Sequence, residues 1–282
     1  MLQDHFGKGT ALHLSEMRVM VIGAHPDDPD VNAGATAARL VKNGARVKFV
    51  AVTSGNLGHQ TMSPAALAAR RTGEAAASAR TLGIEDYIIL GLNDCEVEAN
   101  LDLRRKITRT IREFAPHIVV THRPCDYHCD HRATGQVVLD AGYLLGVPHW
   151  CPETKCPERL PAILLMRDTF TNPREMRPDV LVDCDPFIDT WADAMRCHES
   201  QFFEWLPFDR GIENEVPARG DAAAERAFIM KYWGVRKTID RDRFGSVWAA
   251  RHPDGNVPAH LEAFEISEYG RIPTPEELAY FA

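Results

Sequence analysis

The sequence lacks the features that would assign it to a nucleic-acid-binding or membrane protein. Its 32 Lys and Arg residues are outnumbered by 40 Asp and Glu residues, and the formal net charge of −8 excludes a broadly basic surface for nucleic acid. No stretch approaches the roughly 18 apolar residues of a membrane-spanning helix. Residues 1–16 mix charges, His and Gly without the apolar run of a secretory signal. We therefore expect a cytoplasmic protein with no membrane span.

Closely spaced cysteine pairs are also missing. The chain has seven cysteines, an odd number, and they do not form the dense framework of a small secreted domain. We therefore expect reduced thiols. One alternative is a structural zinc site, although the spacings CxxxC and CxxxxC are wider than the usual CxxC knuckle. That site would use Cys125, Cys129, Cys151 and Cys156.

Over the first two-thirds of the chain, short apolar runs alternate with helix-like segments. This alternation predicts an α/β fold with a mostly parallel sheet. Strands are predicted at residues 18–23, 46–53, 87–90, 117–121, 162–166 and 180–182. Helices are predicted at residues 32–43, 64–82, 132–145, 187–203 and 222–234, and a further helix is expected between Asn100 and Pro116.

The pattern weakens after Glu204, where aromatic residues are scattered among charges. No linker-like composition separates this part from the rest. We therefore predict a catalytic α/β domain over residues 1–204 and a C-terminal extension over residues 205–282 that packs on the same domain.

A histidine and two carboxylates stand directly after the first predicted strand, in the segment Ala24-His25-Pro26-Asp27-Asp28. In open α/β sheets, ligands bind at the carboxyl ends of the strands. His25 and Asp28 are three residues apart in a turn that leads into a helix, and such a turn can direct both side chains to one point. The alternative is that Asp27 and Asp28 only cap this helix and stabilise its dipole.

A second group of the same residue types, His128-Cys129-Asp130-His131, follows the predicted strand 117–121. His25, Asp28 and His131 would form a set of three ligands with a fourth position open for water, which is typical of a catalytic zinc; iron or cobalt is the alternative. Zinc lowers the pKa of such a water to roughly 7, and Asp27 is then a candidate general base. His128 is a candidate oxyanion partner or general acid, with Asp130 as its hydrogen-bond partner. The alternative that His128 and His131 are ordinary polar loop residues stays open.

Together these residues resemble the zinc-dependent N-deacetylases of the PIG-L/LmbE type, in which a His-Pro-Asp-Asp motif is followed by a later His-x-Asp-His. The similarity runs over roughly residues 17–205. It also includes the turn Thr53-Ser54-Gly55, the pair Arg71-x-x-Glu74, Asp94, and the segment His198-x-Ser200-Gln201.

The resemblance implies a Rossmann-like sheet with helices on both faces. It implies zinc bound by His25, Asp28 and His131, with Asp27 as general base. In the same pattern His128 is the general acid or oxyanion partner, and Asp130 orients it. Three further residues match positions that contact the substrate or lie near it, namely Arg71, Asp94 and His198.

The implied reaction is hydrolysis of an N-acetyl or other N-acyl amide on a small molecule, an amino sugar or its conjugate. The chain departs from the family pattern at Pro29, where many relatives have Glu, and at Asn56 and Cys129. None of these departures replaces a proposed ligand or the base, so they bear on the substrate rather than on the metal. Two alternatives remain: an amidase for a non-sugar N-acyl compound, and a catalytically silent sugar-binding homologue. Self-association into a homo-oligomer is left open.

Overall fold

A seven-stranded sheet forms the centre of the computed structural model, which describes residues 17–253 and 255–282. The strands are β1 (Arg18–Gly23), β2 (Arg46–Thr53), β3 (Asp86–Leu92), β4 (Ile118–Thr121), β5 (Ala162–Met166), β6 (Val180–Asp183) and β7 (Leu261–Ile266). They lie in the order β3-β2-β1-β4-β5-β7-β6. The first five strands run parallel, and β7 is antiparallel to both of its neighbours. The predicted α/β fold with a mostly parallel sheet is confirmed.

Helices cover both faces of this sheet. They are α1 (Asp28–Lys42), α2 (Pro64–Leu82), α3 (Leu101–Phe114), α4 (Cys129–Leu144), α5 (Ile188–Cys197), α6 (Leu206–Arg210), α7 (Ala222–Ile229), α8 (Val235–Arg251) and α9 (Pro275–Leu278). Successive side chains of a strand point to opposite faces. Accordingly Val19 and Val21 of β1 pack in a core with α1 and α2, whereas Met20 and Ile22 pack in a core with α3 and α4.

The strand order reverses at β1. From β1 the chain moves outward through β2 to β3, and then it returns to place β4 on the other side of β1. In open α/β sheets, such a reversal leaves a crevice at the carboxyl edge between the two central strands. The segments that follow β1 and β4 both enter this crevice, and they are the two segments that carry the predicted site residues.

Two helices begin earlier than predicted. Helix α1 starts at Asp28 rather than at residue 32. The N–H groups of the first helical turn have no hydrogen-bond partner within the helix, so Pro29, which lacks an N–H, is tolerated there. Helix α4 starts at Cys129 rather than at residue 132. As a result Asp28, Asp130 and His131 lie on first helical turns and not in loops, which gives their side chains fixed directions.

The predicted helix 187–203 is interrupted. Helix α5 ends at Cys197, His198 has a non-helical backbone, and a π-helical segment, Ser200–Trp205, follows. The break leaves the Ser200 N–H free to donate to the Glu74 carboxylate at 2.8 Å. A buried side chain therefore replaces the helical partner of this group.

Residues after 204 contribute a strand that the sequence pattern did not predict. Strand β7 lies inside the sheet, between β5 and β6. Its Glu262 and Lys237 of α8 are both buried and form an ion pair. Glu262 also accepts a hydrogen bond from the Thr36 N–H at 2.8 Å, and Lys237 donates to the Val31 carbonyl at 2.8 Å. These contacts tie the C-terminal region to α1; the boundary at residue 204 stays a prediction.

Within the described residues, no helix has the length and apolar character needed to cross a membrane. All seven cysteines are free. Among the described residues, the groups of mutually close metal-ligand atoms contain none of the four cysteines of the alternative zinc site, so that site is not formed. The prediction about a signal peptide concerns residues 1–16, which lie outside the described residues.

Candidate active site

The side chains of His25, Asp28 and His131 converge at the carboxyl edge of the sheet, between β1 and β4. Nδ1 of His25 lies 3.3 Å from Nε2 of His131. The Asp28 carboxylate reaches both rings, with Oδ2 3.2 Å from His25 Nδ1 and Oδ1 3.2 Å from His131 Nε2. The structure thus brings together the three residues predicted as metal ligands.

The remaining nitrogen of each of these two histidines faces a carboxylate. His25 Nε2 lies 3.2 Å from Asp130 Oδ2, and His131 Nδ1 lies 3.0 Å from Asp126 Oδ1. An ionised carboxylate only accepts hydrogen bonds, so each of these ring nitrogens carries a proton. In neutral rings, His25 Nδ1 and His131 Nε2 therefore present lone pairs to each other and to Asp28. Three acceptor groups at this separation repel one another unless a positive charge lies between them.

The distances fit a tetrahedral metal ion. Ligand atoms at about 2.0–2.1 Å from a tetrahedral zinc lie about 3.3 Å from one another. The separations among His25, Asp28 and His131 are 3.2 and 3.3 Å. Metal-bound histidines commonly donate their other N–H to a carboxylate, which holds the ring in one tautomer. Asp130 and Asp126 stand in that position here.

The same carboxylates favour positive charge on the two rings. Burial lowers the pKa of His25, but hydrogen bonds to Asp130 and Asp28 outweigh it and raise the pKa to about 10. Burial likewise opposes protonation of His131, and the charges of Asp28 and Asp126 still raise its pKa to about 9. The cluster therefore attracts cations, and protons and a metal ion compete for it.

Two other histidines lie close enough to be considered as ligands. Together with the predicted ligands they form two overlapping sets, His25–His128–His131 and Asp28–His122–His131, whose ligand atoms lie within 4.8 Å of one another. His122 Nε2 accepts a hydrogen bond from the Ala24 N–H at 3.1 Å, and His128 Nδ1 accepts one from a backbone N–H. These lone pairs are already engaged. His122 instead stacks on the His131 ring at 4.1 Å and supports it, a role that was not predicted from the sequence.

Asp27 occupies the N-cap position of α1, yet its side chain does not cap the helix. Its Oδ2 lies 2.9 Å from Nη2 of Arg71, a buried residue of α2, and Asp27 lines the cavity described below. Arg71 also donates to the Gly55 carbonyl at 3.4 Å. Gly55 has φ +69°, and a Cβ there would overlap with the Arg71 guanidinium. The helix-cap alternative therefore does not apply to the Asp27 side chain.

The structure corrects the expected partner of His128. The Asp130 carboxylate faces His25 and accepts hydrogen bonds from the Cys95 and Val97 N–H groups at 2.6 and 3.3 Å. Its distance of 4.0 Å from His128 Nδ1 is too long for a hydrogen bond. The backbone N–H of Asp130 donates to His128 Nδ1 at 3.2 Å instead. Because Asp130 is on the first turn of α4, its side chain and its backbone serve two different histidines.

Asp94 follows β3 and is buried at the edge of the site. Its Oδ2 accepts a hydrogen bond from the Leu57 N–H at 3.0 Å, and its own N–H donates to Asn56 Oδ1 at 2.9 Å. Among the described residues, its Oδ1 has no hydrogen-bond partner. Since Asp94 lines the cavity, this oxygen is available to a bound molecule.

His198 is not brought to the cavity. Its ring is fully buried, and its Nε2 lies 3.2 Å from Asp30 Oδ2, which also accepts a hydrogen bond from the Tyr87 hydroxyl at 3.0 Å. Gln201 of the same motif does line the cavity, and its side chain donates to the Gly58 carbonyl at 3.0 Å. The predicted contact between His198 and the substrate therefore stays a prediction.

A cavity of about 710 Å³ opens on these residues. Trp205 and Trp233 form part of its wall, and three arginines reach it, Arg167 from just after β5, Arg210 from α6 and Arg236 from α8. Sequence reasoning assigned no role to these three arginines. Arg210 and Arg236 reach the crevice through the tertiary packing of the C-terminal region, which no local pattern indicated, whereas Arg167 directly follows strand β5. Asp126 was missed as well, although its position in the loop before His128 was a usable signal.

Comparison with known proteins agrees with the residues found in the crevice. Residues 20–142 match a family model described as PIG-L: GlcNAc-PI de-N-acetylase. The chain is 30% identical over 206 residues to the diacetylchitobiose deacetylase of Thermococcus kodakarensis, a match that covers 69% of this chain and 76% of the relative. It is 32% identical over 189 residues to 1D-myo-inositol 2-acetamido-2-deoxy-alpha-D-glucopyranoside deacetylase 2 of Saccharopolyspora erythraea, which covers 57% and 68% of the two chains.

A solved structure extends the likeness of the fold over nearly the whole chain. The 4-carboxy-2-hydroxymuconate hydratase of Pseudomonas putida superposes with a TM-score of 0.69 at 18% identity, over 92% of this chain and 98% of the hydratase. At this identity the likeness concerns the fold alone. Since this fold is shared by deacetylases and a hydratase, the reaction has to be argued from the site.

Proposed function

Because the chain belongs to the PIG-L family of deacetylases, we propose that it hydrolyses the N-acetyl amide of an amino sugar or of an amino-sugar conjugate. Both relatives are named for substrates that carry an acetylated amino group on a sugar. The observation that carries the proposal is the convergence of His25 Nδ1, His131 Nε2 and the Asp28 carboxylate beside the Asp27 carboxylate, which Arg71 holds at the cavity.

We propose zinc as the ion that these three residues hold. Two imidazole nitrogens and one carboxylate form a ligand set that suits zinc, with iron as the alternative. When bound, zinc supplies a Lewis acid that polarises the amide carbonyl and lowers the pKa of water. The chain contributes the orientation of the ligands, through Asp130 behind His25 and Asp126 behind His131.

Asp27 is the proposed general base. Its carboxylate lines the cavity next to Asp28, and it is not used for capping the helix. Arg71 fixes the direction of this carboxylate through their ion pair, and Gly55 leaves room for Arg71. A positioned carboxylate accepts the proton of the attacking water as the carbon–oxygen bond forms.

His128 is the proposed hydrogen-bond donor to the developing oxyanion, and the proton that Asp27 accepts from water passes to the leaving amine as the carbon–nitrogen bond breaks. Its Nδ1 accepts a hydrogen bond from the Asp130 backbone, so the neutral ring carries its proton on Nε2. Its side chain is partly exposed and lines the cavity. A donor that is positioned before the reaction stabilises the oxyanion without reorganisation. The transfer ends with acetate and a free amine.

Substrate binding is assigned to the cavity wall. The Oδ1 of Asp94, which has no partner among the described residues, can accept a hydrogen bond from a sugar hydroxyl, and Trp205 offers an apolar face. Arg71 is engaged by Asp27 and Gly55, so its further role as a substrate contact stays a prediction.

The test is metal analysis of the purified protein, followed by an acetate-release screen. We expect close to one zinc per chain and acetate release from N-acetylglucosamine, diacetylchitobiose or their conjugates. Release only from N-acetylated amino acids would reassign the protein as an amidase for non-sugar compounds. Bound metal with no release from any N-acyl compound would instead indicate a catalytically silent homologue.

A further inference from the structure

We propose that the substrate carries an anionic group, a carboxylate or a phosphate, which Arg236, Arg210 and Arg167 bind at one wall of the active-site cavity. The inference rests on the proposed function, since it specifies the substrate class of the same site. Arg167 follows β5 directly, Arg210 ends α6, and Arg236 lies in the first turn of α8. Three separate elements thus bring a guanidinium group to the cavity that also exposes the metal ligands.

Arg236 and Arg210 have no counter-charge within the chain as described. No carboxylate of the described residues lies within the 4.0 Å limit of an ion pair from either guanidinium, and neither forms a hydrogen bond there. Other arginines near the site are paired: Arg71 lies 2.9 Å from Asp27, and Arg123 lies 2.7 Å from Asp168. The contrast marks the two cavity arginines as unusual.

Arg167 contributes a donor that the protein leaves unused. Its Nε donates to Asp240 Oδ1 at 2.8 Å, which holds the guanidinium from behind. Its Nη2 is buried and, among the described residues, has no hydrogen-bond partner. A buried N–H without an acceptor is unfavourable, and native proteins contain few of them. A ligand oxygen at this wall would satisfy it.

The electrostatic environment of Arg236 also favours an anion. Burial and the neighbouring positive charges of Arg167 and Arg210 lower the pKa of Arg236, although Tyr127 and Asp28 oppose them. Asp209 also lines the cavity, but its carboxylate is not within the 4.0 Å limit of an ion pair from any of these arginines. An anion placed among three like charges would relieve their repulsion.

Carboxylate and phosphate share the chemistry that this wall recognises. A guanidinium group offers several N–H donors in a planar fork that matches the oxygens of either anion. A neutral N-acetyl sugar has no group that needs such a fork. The wall therefore points to an acidic or phosphorylated N-acetyl amino sugar rather than to a neutral one.

The experiment measures binding of deacetylated sugars, which the enzyme does not turn over, to the zinc-loaded protein by calorimetry. The probes are glucosamine, glucosamine 6-phosphate and muramic acid, which share the amine and differ in the anion. We expect one of the acidic sugars to bind at least tenfold more tightly than glucosamine, and that sugar identifies the anion. High salt should reduce the preference, because screening weakens ion pairing at a partly open site.

Variants then locate the preference. Arg236→Gln and the double variant with Arg210→Gln should remove the preference for the acidic sugar over glucosamine. The matched control is Arg241→Gln, because Arg241 lies on the same helix, pairs with Asp242 and does not line the cavity. Unchanged thermal unfolding would show that the variants remain folded, and Arg236→Lys should retain part of the preference.

Equal binding of the three sugars, failure of both acidic sugars to bind, or a preference that survives in the double variant would overturn the inference. The binding result does not depend on acetate release. An enzyme that deacetylates neutral sugars without preferring acidic ones would contradict only this inference. Tight binding of an acidic sugar without any acetate release from its N-acetylated form would instead support the binding wall and contradict the proposed reaction.

Discussion

Two histidines lie beyond opposite ends of strand β4. His117 comes just before its amino end, and His131 follows its carboxyl end. His117 Nδ1 accepts a hydrogen bond from the Arg18 N–H at 3.0 Å, so its lone pair is used inside the protein. His131 Nε2 meets only other acceptors, His25 Nδ1 at 3.3 Å and Asp28 Oδ1 at 3.2 Å. At the amino edge of the sheet, the polar atoms are thus paired within the protein. At the carboxyl edge, acceptor groups lie next to one another and need a cation from outside the chain.

The charges around the two histidines act in opposite directions. Burial and the nearby Arg18 lower the pKa of His117 to about 4. At the other edge, Asp28 and Asp126 raise the pKa of His131 to about 9 in spite of burial. The amino edge is closed further by Arg271, which pairs with Glu277 and donates to the His117 carbonyl at 3.0 Å. We infer that the amino edge serves stability and the carboxyl edge serves chemistry.

The largest effect on activity is expected when a proposed metal ligand at the carboxyl edge is removed. His131→Ala removes one of three ligands, so we expect zinc content near zero and a loss of acetate release of at least about 10³-fold. Since a ligand stabilises only the state that binds it, added zinc should raise the Tm of the parent but not that of the variant. Metal analysis and thermal unfolding with and without zinc measure both effects.

His149→Ala is the matched control, because His149 is an exposed histidine outside the cavity. It should keep full metal content and full activity. Full metal occupancy in His131→Ala would remove this residue from the ligand set. A lower Tm of the metal-free His131→Ala protein would show that the carboxyl edge also supports the fold.

A smaller effect is expected when the metal ligands are kept and only the proton acceptor is changed. Asp27→Asn retains the shape of the side chain but cannot act as a base. We expect kcat to fall by about 10²–10⁴-fold while zinc content stays at the level of the parent. The variant also weakens the pair with Arg71, so its Tm must be measured beside its kinetics. Unchanged turnover would contradict the assignment of Asp27 as the base.

The local patterns of this sequence predicted the fold well where each element carries its own signals. Strands β1, β2 and β5 and helix α2 have the predicted bounds, since apolar runs or a Ser-Pro start and a Gly end mark them. Strand β7 was missed. The charged Glu262 and Glu265 are not typical of a buried strand. Their burial depends on ion pairs with Lys237 and Arg174, which come from distant parts of the chain.

The same division applies to the site. His25, Asp28 and His131 could be predicted because each stands in a motif directly after a strand, and strand ends meet at one edge. The partners of Asp130 could not, since they depend on the first turn of α4 and on the loop that carries Cys95. The place of Arg236 in the site could not be predicted from the local sequence, because only the packing of α8 brings it to the cavity.

The smallest expected effect concerns the amino edge and is a matter of stability. His117→Asn keeps an acceptor for the Arg18 N–H but cannot take up a proton near neutral pH. In the parent, the pKa of His117 is about 4 in the folded protein, against an ordinary value of 6.5. The unfolded chain therefore binds the proton more readily, and the contribution of neutral His117 to stability is present above pH 6.5 and is lost as the pH falls toward 4.

Urea unfolding at pH 7 and at pH 5 tests this prediction, with activity measured at pH 7. The parent should lose about 1 kcal/mol more than the variant between the two pH values, a figure that allows for the partial exposure of His117. Titration of the metal ligands is common to both proteins, so the difference between them isolates His117. Acetate release should not change, because His117 lies at the edge opposite to the site. An equal loss of stability in both proteins would show that the histidine at this end of β4 does not control the pH response, and a loss of activity would contradict the division between the two edges.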